Sequence, residues 1–268
     1  MAEARPGQSR AGGVRRALSL PPAGVPELQI VSLNIRHGGG RRSQSIFDWI
    51  TARSADVIVL PEWRDNTAGN LVRRGLESAG FDVSPAFART KQNGILIAAK
   101  EACSFRRLTP ASSERGELLS VELASGWKLL AAYFPQGNAK APFFKACIEE
   151  AQSSNASPFL LIGDLNTGCN EDDVEGTGTP FMCADLFDAL ATKADLADLW
   201  RVEHRQEREW SWRSKVNGFR VDHAFANNAF RIRFSQISCF YDHGPRETGV
   251  TDHSALIVKC TPASNSRL

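Results

Sequence analysis

Hydrophobic and polar positions along this chain follow two rhythms. Short apolar-rich runs bounded by turn residues, nearly unbroken at 158–163 and alternating with polar residues at 230–237, predict strands over residues 27–34, 56–60, 93–99, 118–123, 128–134, 158–163, 219–225, 230–237 and 254–259. Apolar positions about 3.6 residues apart predict helices over 43–53, 140–152 and 181–190, the first with Ser43 as its N-cap. A glycine loop, Gly38-Gly39-Gly40, separates the first strand from the first helix. Hairpin-like strand pairs interleaved with helix crossovers predict a single α/β domain with mixed sheets over residues 28–261.

The flanks break both rhythms. Residues 1–27 place Arg5, Arg10, Arg15 and Arg16 among Ala, Gly and Pro, the composition of a flexible basic tail, and residues 262–268 read as a frayed C-terminal tail. The apolar stretch Ala17-Leu18-Ser19-Leu20 is too short for the core of a secretory signal, and no run approaches the ~20 residues that span a bilayer, so no membrane partner is expected. At 268 residues the chain is long enough to bury a core without a disulfide or metal staple. Its 32 Lys and Arg nearly balance 30 Asp and Glu, so a phosphate-rich partner needs a local basic surface. Six cysteines without a C-x-x-C pair point to reduced thiols in a cytoplasmic protein.

Charged and amide residues gather where the apolar runs stop: Asn34, Glu62, Asp164 and Asn166, Asp222-His223, and Asp252-His253. A lone Asp in such a place is ordinarily a turn residue; the set is what carries chemistry, because rigid scaffolds put reactive groups at strand ends. Asp164 and Asn166 are two apart, which on an extended backbone points both side chains the same way. Hard oxygen donors of this kind suit Mg²⁺, with Mn²⁺ as a substitute, and not zinc.

Six segments in order resemble the endonuclease/exonuclease/phosphatase superfamily: Ser32-Leu33-Asn34-Ile35-Arg36, Asp56-Val57-Ile58-Val59-Leu60-Pro61-Glu62, Tyr133-Phe134-Pro135-Gln136-Gly137, Leu161-Ile162-Gly163-Asp164-Leu165-Asn166, Arg220-Val221-Asp222-His223 and Thr251-Asp252-His253-Ser254. The tyrosine of the third segment, with Trp210-Ser211-Trp212-Arg213-Ser214-Lys215 and Gly218-Phe219-Arg220, is similar to the exonuclease III and AP endonuclease branch. The chain departs from that branch at Pro61, where Gln is usual, and at Arg36, where Asn or Asp is usual. The resemblance implies a four-layered α/β sandwich, two mixed β-sheets face to face with helices outside, and metal-dependent hydrolysis of phosphodiesters, with DNA as the substrate.

It also implies roles. Glu62, Asn34 and Asp252 form the metal side. Asp164 is the general base for the attacking water, with Asn166 orienting it, and His253, supported by Asp222, donates to a phosphate oxygen. Tyr133 supplies a phenol or phenolate, and Arg36, Arg64, Trp212, Arg213, Lys215 and Phe219 contact substrate. Arg41, Arg42 and Arg220 add to the basic residues near the site. Two other readings stay open: an enzyme for a small or lipid-linked phosphoester, and a non-enzymatic DNA-binding relative. The short Trp212–Gly218 connection leads us to expect only modest preference for abasic DNA.

Overall fold

In the computed structural model, residues 27–87, 91–110 and 115–262 are described. The expected tails, apart from residues 27 and 262, lie outside them.

Fourteen strands are present among the described residues: β1 (Leu28–Ser32), β2 (Val57–Trp63), β3 (Asp82–Val83), β4 (Gly94–Ala99), β5 (Cys103–Arg107), β6 (Glu117–Leu123), β7 (Lys128–Tyr133), β8 (Phe159–Asp164), β9 (Ala197–Asp198), β10 (Trp212–Arg213), β11 (Gly218–Phe219), β12 (Asp222–Ala226), β13 (Phe234–Asp242) and β14 (Ala255–Pro262). The helices are α1 (Ser43–Thr51), α2 (Thr67–Ser78), α3 (Ala141–Ser153), α4 (Ala184–Ala194), α5 (Leu199–Glu203), α6 (Asn228–Arg233) and α7 (Gly244–Glu247). Two six-stranded sheets result, in the orders β13-β14-β1-β2-β4-β3 and β5-β6-β7-β8-β12-β9, and β10 and β11 pair as a separate antiparallel hairpin. Each holds one parallel pair, β1–β2 and β7–β8, inside an otherwise antiparallel array. Both are the mixed sheets the sequence predicts.

The nearly unbroken apolar runs follow from burial on both faces of each sheet. Along β2 and β4, Val59, Ile95 and Ile97 pack between the sheets against Leu129, Leu160 and Ile162. Their neighbours Ile58, Leu60 and Leu96 turn the other way, onto Ile46 and Ile50 of α1 and Val72 and Leu76 of α2. On the far side Leu130, Leu161 and Phe134 meet Phe143, Phe144 and Cys147 of α3 and Leu190 of α4. Helix, sheet, sheet and helix make four layers.

Several local expectations are corrected. Ser43 is not a cap: a 3₁₀ turn at Gly40–Arg42 feeds α1, whose N-cap is Arg42 with no side-chain cap bond. The strand expected at 230–237 is divided, because the Asn227 side chain accepts from Phe230 N–H and starts α6. The strand expected at 219–225 breaks at Arg220, whose side chain turns inward to Asp173 and Asp198. Helix α4 starts three residues late, after Cys183 in a left-handed conformation.

The topology explains why the acids converge. Strands β1, β2, β7 and β8 end, and β4, β12 and β14 begin, at one edge of the sandwich. In one sheet Tyr133, Asp164 and Asp222 stand in register across three neighbouring strands. In the other, Pro61 pairs with Ile95 and Trp63 with Gly94, so Glu62 is the extra residue of a β-bulge.

Candidate active site

Hydrogen bonds tie the two sheets together at this edge. Asn34 Nδ2 donates to Asp164 Oδ2 at 2.8 Å and to Glu62 Oε1 at 3.2 Å. His253 Nδ1 meets Asp222 Oδ2 at 2.8 Å. Asn34, Asp164, Asp222 and His253 are all buried, so these bonds act with little competition from water.

Glu62 has φ +61°, and its left-handed backbone aims the carboxylate across the edge. The segment after β1 continues the device: Arg36, His37, Gly38, Gly39 and Gly40 all have positive φ. Successive amides of such a turn face inward; His37 N–H donates to Glu62 Oε2 at 2.8 Å and Gly38 N–H to the Glu62 carbonyl at 2.7 Å.

Asp164 and Asn166 do come together, but not on extended backbone as expected. Asn166 is left-handed (φ +49°), its N–H donates to Asp164 Oδ1 at 2.8 Å, and its amide donates to the Phe134 carbonyl at 2.8 Å. A turn closed on its own Asp does the positioning.

Burial and the adjacent Asp222 push the Asp164 carboxyl up to about 7. Burial by itself would lower His253, but the Asp222 carboxylate outweighs it and raises the imidazole to about 9. His253 thus holds a proton at neutral pH with Nδ1 occupied and Nε2 left for the groove. Burial, helped by the Glu62 charge, raises Tyr133 well above the ordinary tyrosine range. The structure therefore favours the phenol and not the phenolate.

Asp164 and His253 line a groove of about 500 Å³ whose walls also include Arg36, His37, Glu62, Asn166 and Asp252. Pro180, Phe181, Met182, Trp212 and Phe219 form an apolar side. Trp212 Nε1 donates to Asp252 Oδ2 at 3.4 Å, and Arg36 Nε lies 3.5 Å from the same oxygen.

Other expected contacts lie elsewhere. Arg64 faces inward, donating from Nε to Asn93 Oδ1 at 2.6 Å. Arg213 pairs with Glu175 at 2.7 Å, and Lys215 is exposed on the β10–β11 turn; neither lines the groove. Arg220 is buried against Asp173 and Asp198, and Arg42 is spent on the carbonyls of Ile35, Arg36 and Val250; neither is free for a phosphate.

Three groove-side residues escaped the sequence reading. Asn93 bonds both Glu62 and Tyr133, Lys140 donates to the Asn166 carbonyl, and Gln136 lines the groove within a motif noted only for its tyrosine. An Asn before a strand and a Lys before a helix carry no pattern that separates them from turn residues.

The donor set fits a hard divalent cation. Glu62 Oε1 receives only the single 3.2 Å bond from Asn34, and Asp252 stands on the same groove. Asp164, Asp222 and His253 also offer ligand atoms within 4.8 Å of one another, but there the imidazole already engages Asp222. Glu62 and Asp252 are the carboxylates suited to a cation, whereas Asn34 orients Glu62 through Nδ2 and its Oδ1 accepts from Arg36 N–H at 2.9 Å.

No protein-family profile matches the chain, and no curated protein matches it. Solved structures do. An AP endonuclease from Archaeoglobus fulgidus is 19% identical with a TM-score of 0.70, covering 86% of this chain and 98% of that one. A 3′-5′ exonuclease from Neisseria meningitidis is 16% identical with a TM-score of 0.72, covering 87% and 100%. A 3′ phosphatase from Neisseria bound to a product DNA hairpin is 15% identical with a TM-score of 0.74, covering 87% and 99%. Over nearly the whole length of these enzymes, the chain shares the four-layered α/β sandwich that its motifs imply.

Proposed function

We propose that this protein is a divalent-metal-dependent hydrolase of DNA phosphodiesters, a nuclease of the exonuclease III-like kind. The observation that carries this reading is the pair of inter-sheet contacts, Asn34–Asp164 and His253–Asp222, which bring a candidate base and a protonated imidazole to one groove. Structures of the same fold described as AP endonucleases and as a 3′-5′ exonuclease support DNA as the substrate.

Asp164 accepts the proton of the attacking water, held in place by Asn34 and by the Asn166 turn. Imidazolium Nε2 of His253 donates to a non-bridging phosphate oxygen, while Asp222 fixes the ring and its charge. The neutral Tyr133 phenol donates to the same phosphate. Glu62 and Asp252, with Asn34 orienting Glu62, would hold Mg²⁺ or Mn²⁺, which when bound neutralises phosphate charge and lowers the pKa of coordinated water. Trp212 and Phe219 flank the sugar, and Arg36, beside Asp252, meets the backbone.

The test is cleavage of plasmid and oligonucleotide duplexes with Mg²⁺, with and without a chelator, alongside a phosphoinositide. Mg²⁺-dependent DNA cleavage is expected, abolished by chelation, and Asp164→Asn should lower kcat by ~10²–10⁴-fold with the fold intact. Activity unchanged in excess chelator, or phosphoinositide hydrolysis without DNA cleavage, overturns the reading.

A further inference from the structure

We infer that Asn93, fixed by Arg64, is a positioning residue that makes Tyr133 a proton donor toward the groove and couples it to Glu62. The inference rests on the proposed function for its catalytic consequence, but its geometry stands apart from it.

Asn93 immediately precedes β4 and so comes to the same edge as the ends of β2 and β7. Its Oδ1 accepts from Arg64 Nε at 2.6 Å. Its Nδ2 lies 3.0 Å from Glu62 Oε2 and 3.0 Å from Tyr133 Oη, the two nearest acceptors for its two hydrogens, with His37 Nδ1 farther off at 3.3 Å. Only one amide orientation satisfies these partners. Reversed, the amide oxygen would face the Glu62 carboxylate and the amide nitrogen would face a guanidinium.

The chemistry follows from counting protons. An amide nitrogen has two hydrogens and no acceptor capacity, so the Tyr133 oxygen must accept from it. A phenol has one proton of its own, and that proton cannot return to Asn93. It is left for another acceptor, which in the proposed reaction is a phosphate oxygen of the substrate. A carboxylate or hydroxyl at position 93 could accept it and turn the phenol inward.

Arg64 is itself confined. Its Nη2 lies 3.1 Å from His37 Nδ1, and a Cβ on Gly38, which has φ +75°, would come within 2.9 Å of the Arg64 Cβ. The left-handed turn that presents His37 N–H to Glu62 therefore also braces the guanidinium that orients Asn93. One connected unit links the metal-side carboxylate, the phenol and the groove wall. Its members come from four separate strand ends, which no local sequence pattern joins.

The chain has two tyrosines, Tyr133 and Tyr241, so incorporated 3-fluorotyrosine gives two ¹⁹F resonances, assignable with Tyr133→Phe. In metal-free protein, Asn93→Ala is expected to move the Tyr133 resonance and leave that of Tyr241 in place; Arg64→Ala should move it the same way by less. A Tyr133 resonance indifferent to both changes overturns the inference, whatever the protein hydrolyses. With DNA, Asn93→Ala should lower kcat by ~10–100-fold with KM little changed, as for groups that orient a reacting side chain. The near-isosteric Asn93→Asp guards against a folding artefact and should lose as much. In a Tyr133→Phe background, Asn93→Ala should cost little more, and fully additive losses also overturn the inference. If the unaltered protein cleaves no DNA, the proposed function fails and the resonances alone decide the positioning role.

Discussion

Asp164 is 1% exposed and pairs across the sheet with Asp222, so each proton it releases leaves a charge that water barely reaches. Its folded pKa of about 7 lies above the ordinary 3.8. The sign is that of a raised group: its contribution to stability is full below the unfolded value and is lost as pH rises through the folded one. His253, raised from 6.5 to about 9, has the same sign over a higher window, contributing below 6.5 and fading through 9. Metal-free protein should therefore lose stability at these two groups in succession. In chelator, urea unfolding of Asp164→Asn against the unaltered chain should show the difference moving in the variant's favour from about pH 4 to about pH 7, at up to ~1.4 kcal/mol per pH unit, and levelling above. Part of that gain is offset at every pH, because an amide cannot accept all the bonds that Asn34 and Asn166 now donate. A difference flat across this range shows that Asp164 ionises as freely folded as unfolded. The same charge that destabilises the metal-free site favours a cation in the groove.

At the scale of elements, β8 shows how closely site and scaffold are joined. Gly163 precedes Asp164 with φ +142°, and a Cβ there would lie 2.0 Å from the Ala132 carbonyl oxygen of β7. Gly163→Ala should cost about 2–5 kcal/mol through steric overlap and backbone strain, and should displace Asp164 with it. Gly126→Ala is the control: φ is +81° but nothing lies within 4 Å, so about 1–2 kcal/mol of strain is expected. Equal chemical-denaturation midpoints for the two variants contradict this account. Elements buried on both faces, such as β2, β4 and β8, were legible in the sequence because burial leaves an unbroken apolar run. Helix α2 was not, since Gly69 and Gly75 interrupt it and only Val72 and Leu76 mark its buried face, although Asn66 caps it. Edge strand β5, with its Arg106 and Arg107, offers too little apolar signal. In the segment 230–234, Phe230 and Phe234 contact each other at 5.1 Å, a spacing that fits alternation and helical periodicity alike. The candidate site divides along the same line. Acids that end apolar runs were readable, whereas Asn93 and Lys140 gain meaning only when the sheets bring distant strand ends together.

Across the whole molecule, a net charge of +2 leaves the proposed hold on DNA to a few cations near the groove. The fold reduces the basic residues available for that task. Arg42 and Arg220 are consumed by internal partners and Arg64 is turned toward Asn93. Exposed Arg36, Arg41 and Lys215 remain, with Arg213 available only by giving up Glu175; Arg213 and Lys215 sit on the hairpin whose Trp212 and Phe219 line the groove. At ~0.9 per phosphate neutralised, they correspond to a log–log salt slope of about −2 to −4, shallower than the full basic set of the sequence would give. Fluorescence anisotropy of a labelled duplex in Ca²⁺ or chelator, across a salt series, measures it; a slope near zero removes these cations from binding. The hairpin also bears on which DNA is favoured. Ser214 accepts from Val216 N–H and Asn217 N–H and its own N–H donates to the Asn217 carbonyl, so the connection is a tight turn with exposed Val216 at its tip. A turn this short has little reach into a duplex, so abasic and intact duplexes should differ in kcat/KM by only about 10-fold, near the ~1.4 kcal/mol that one small contact supplies. Selectivity of 10³ or more in a competition assay would mean that the lesion is read elsewhere in the groove, with the Phe181, Met182 and Phe219 wall the first place to substitute.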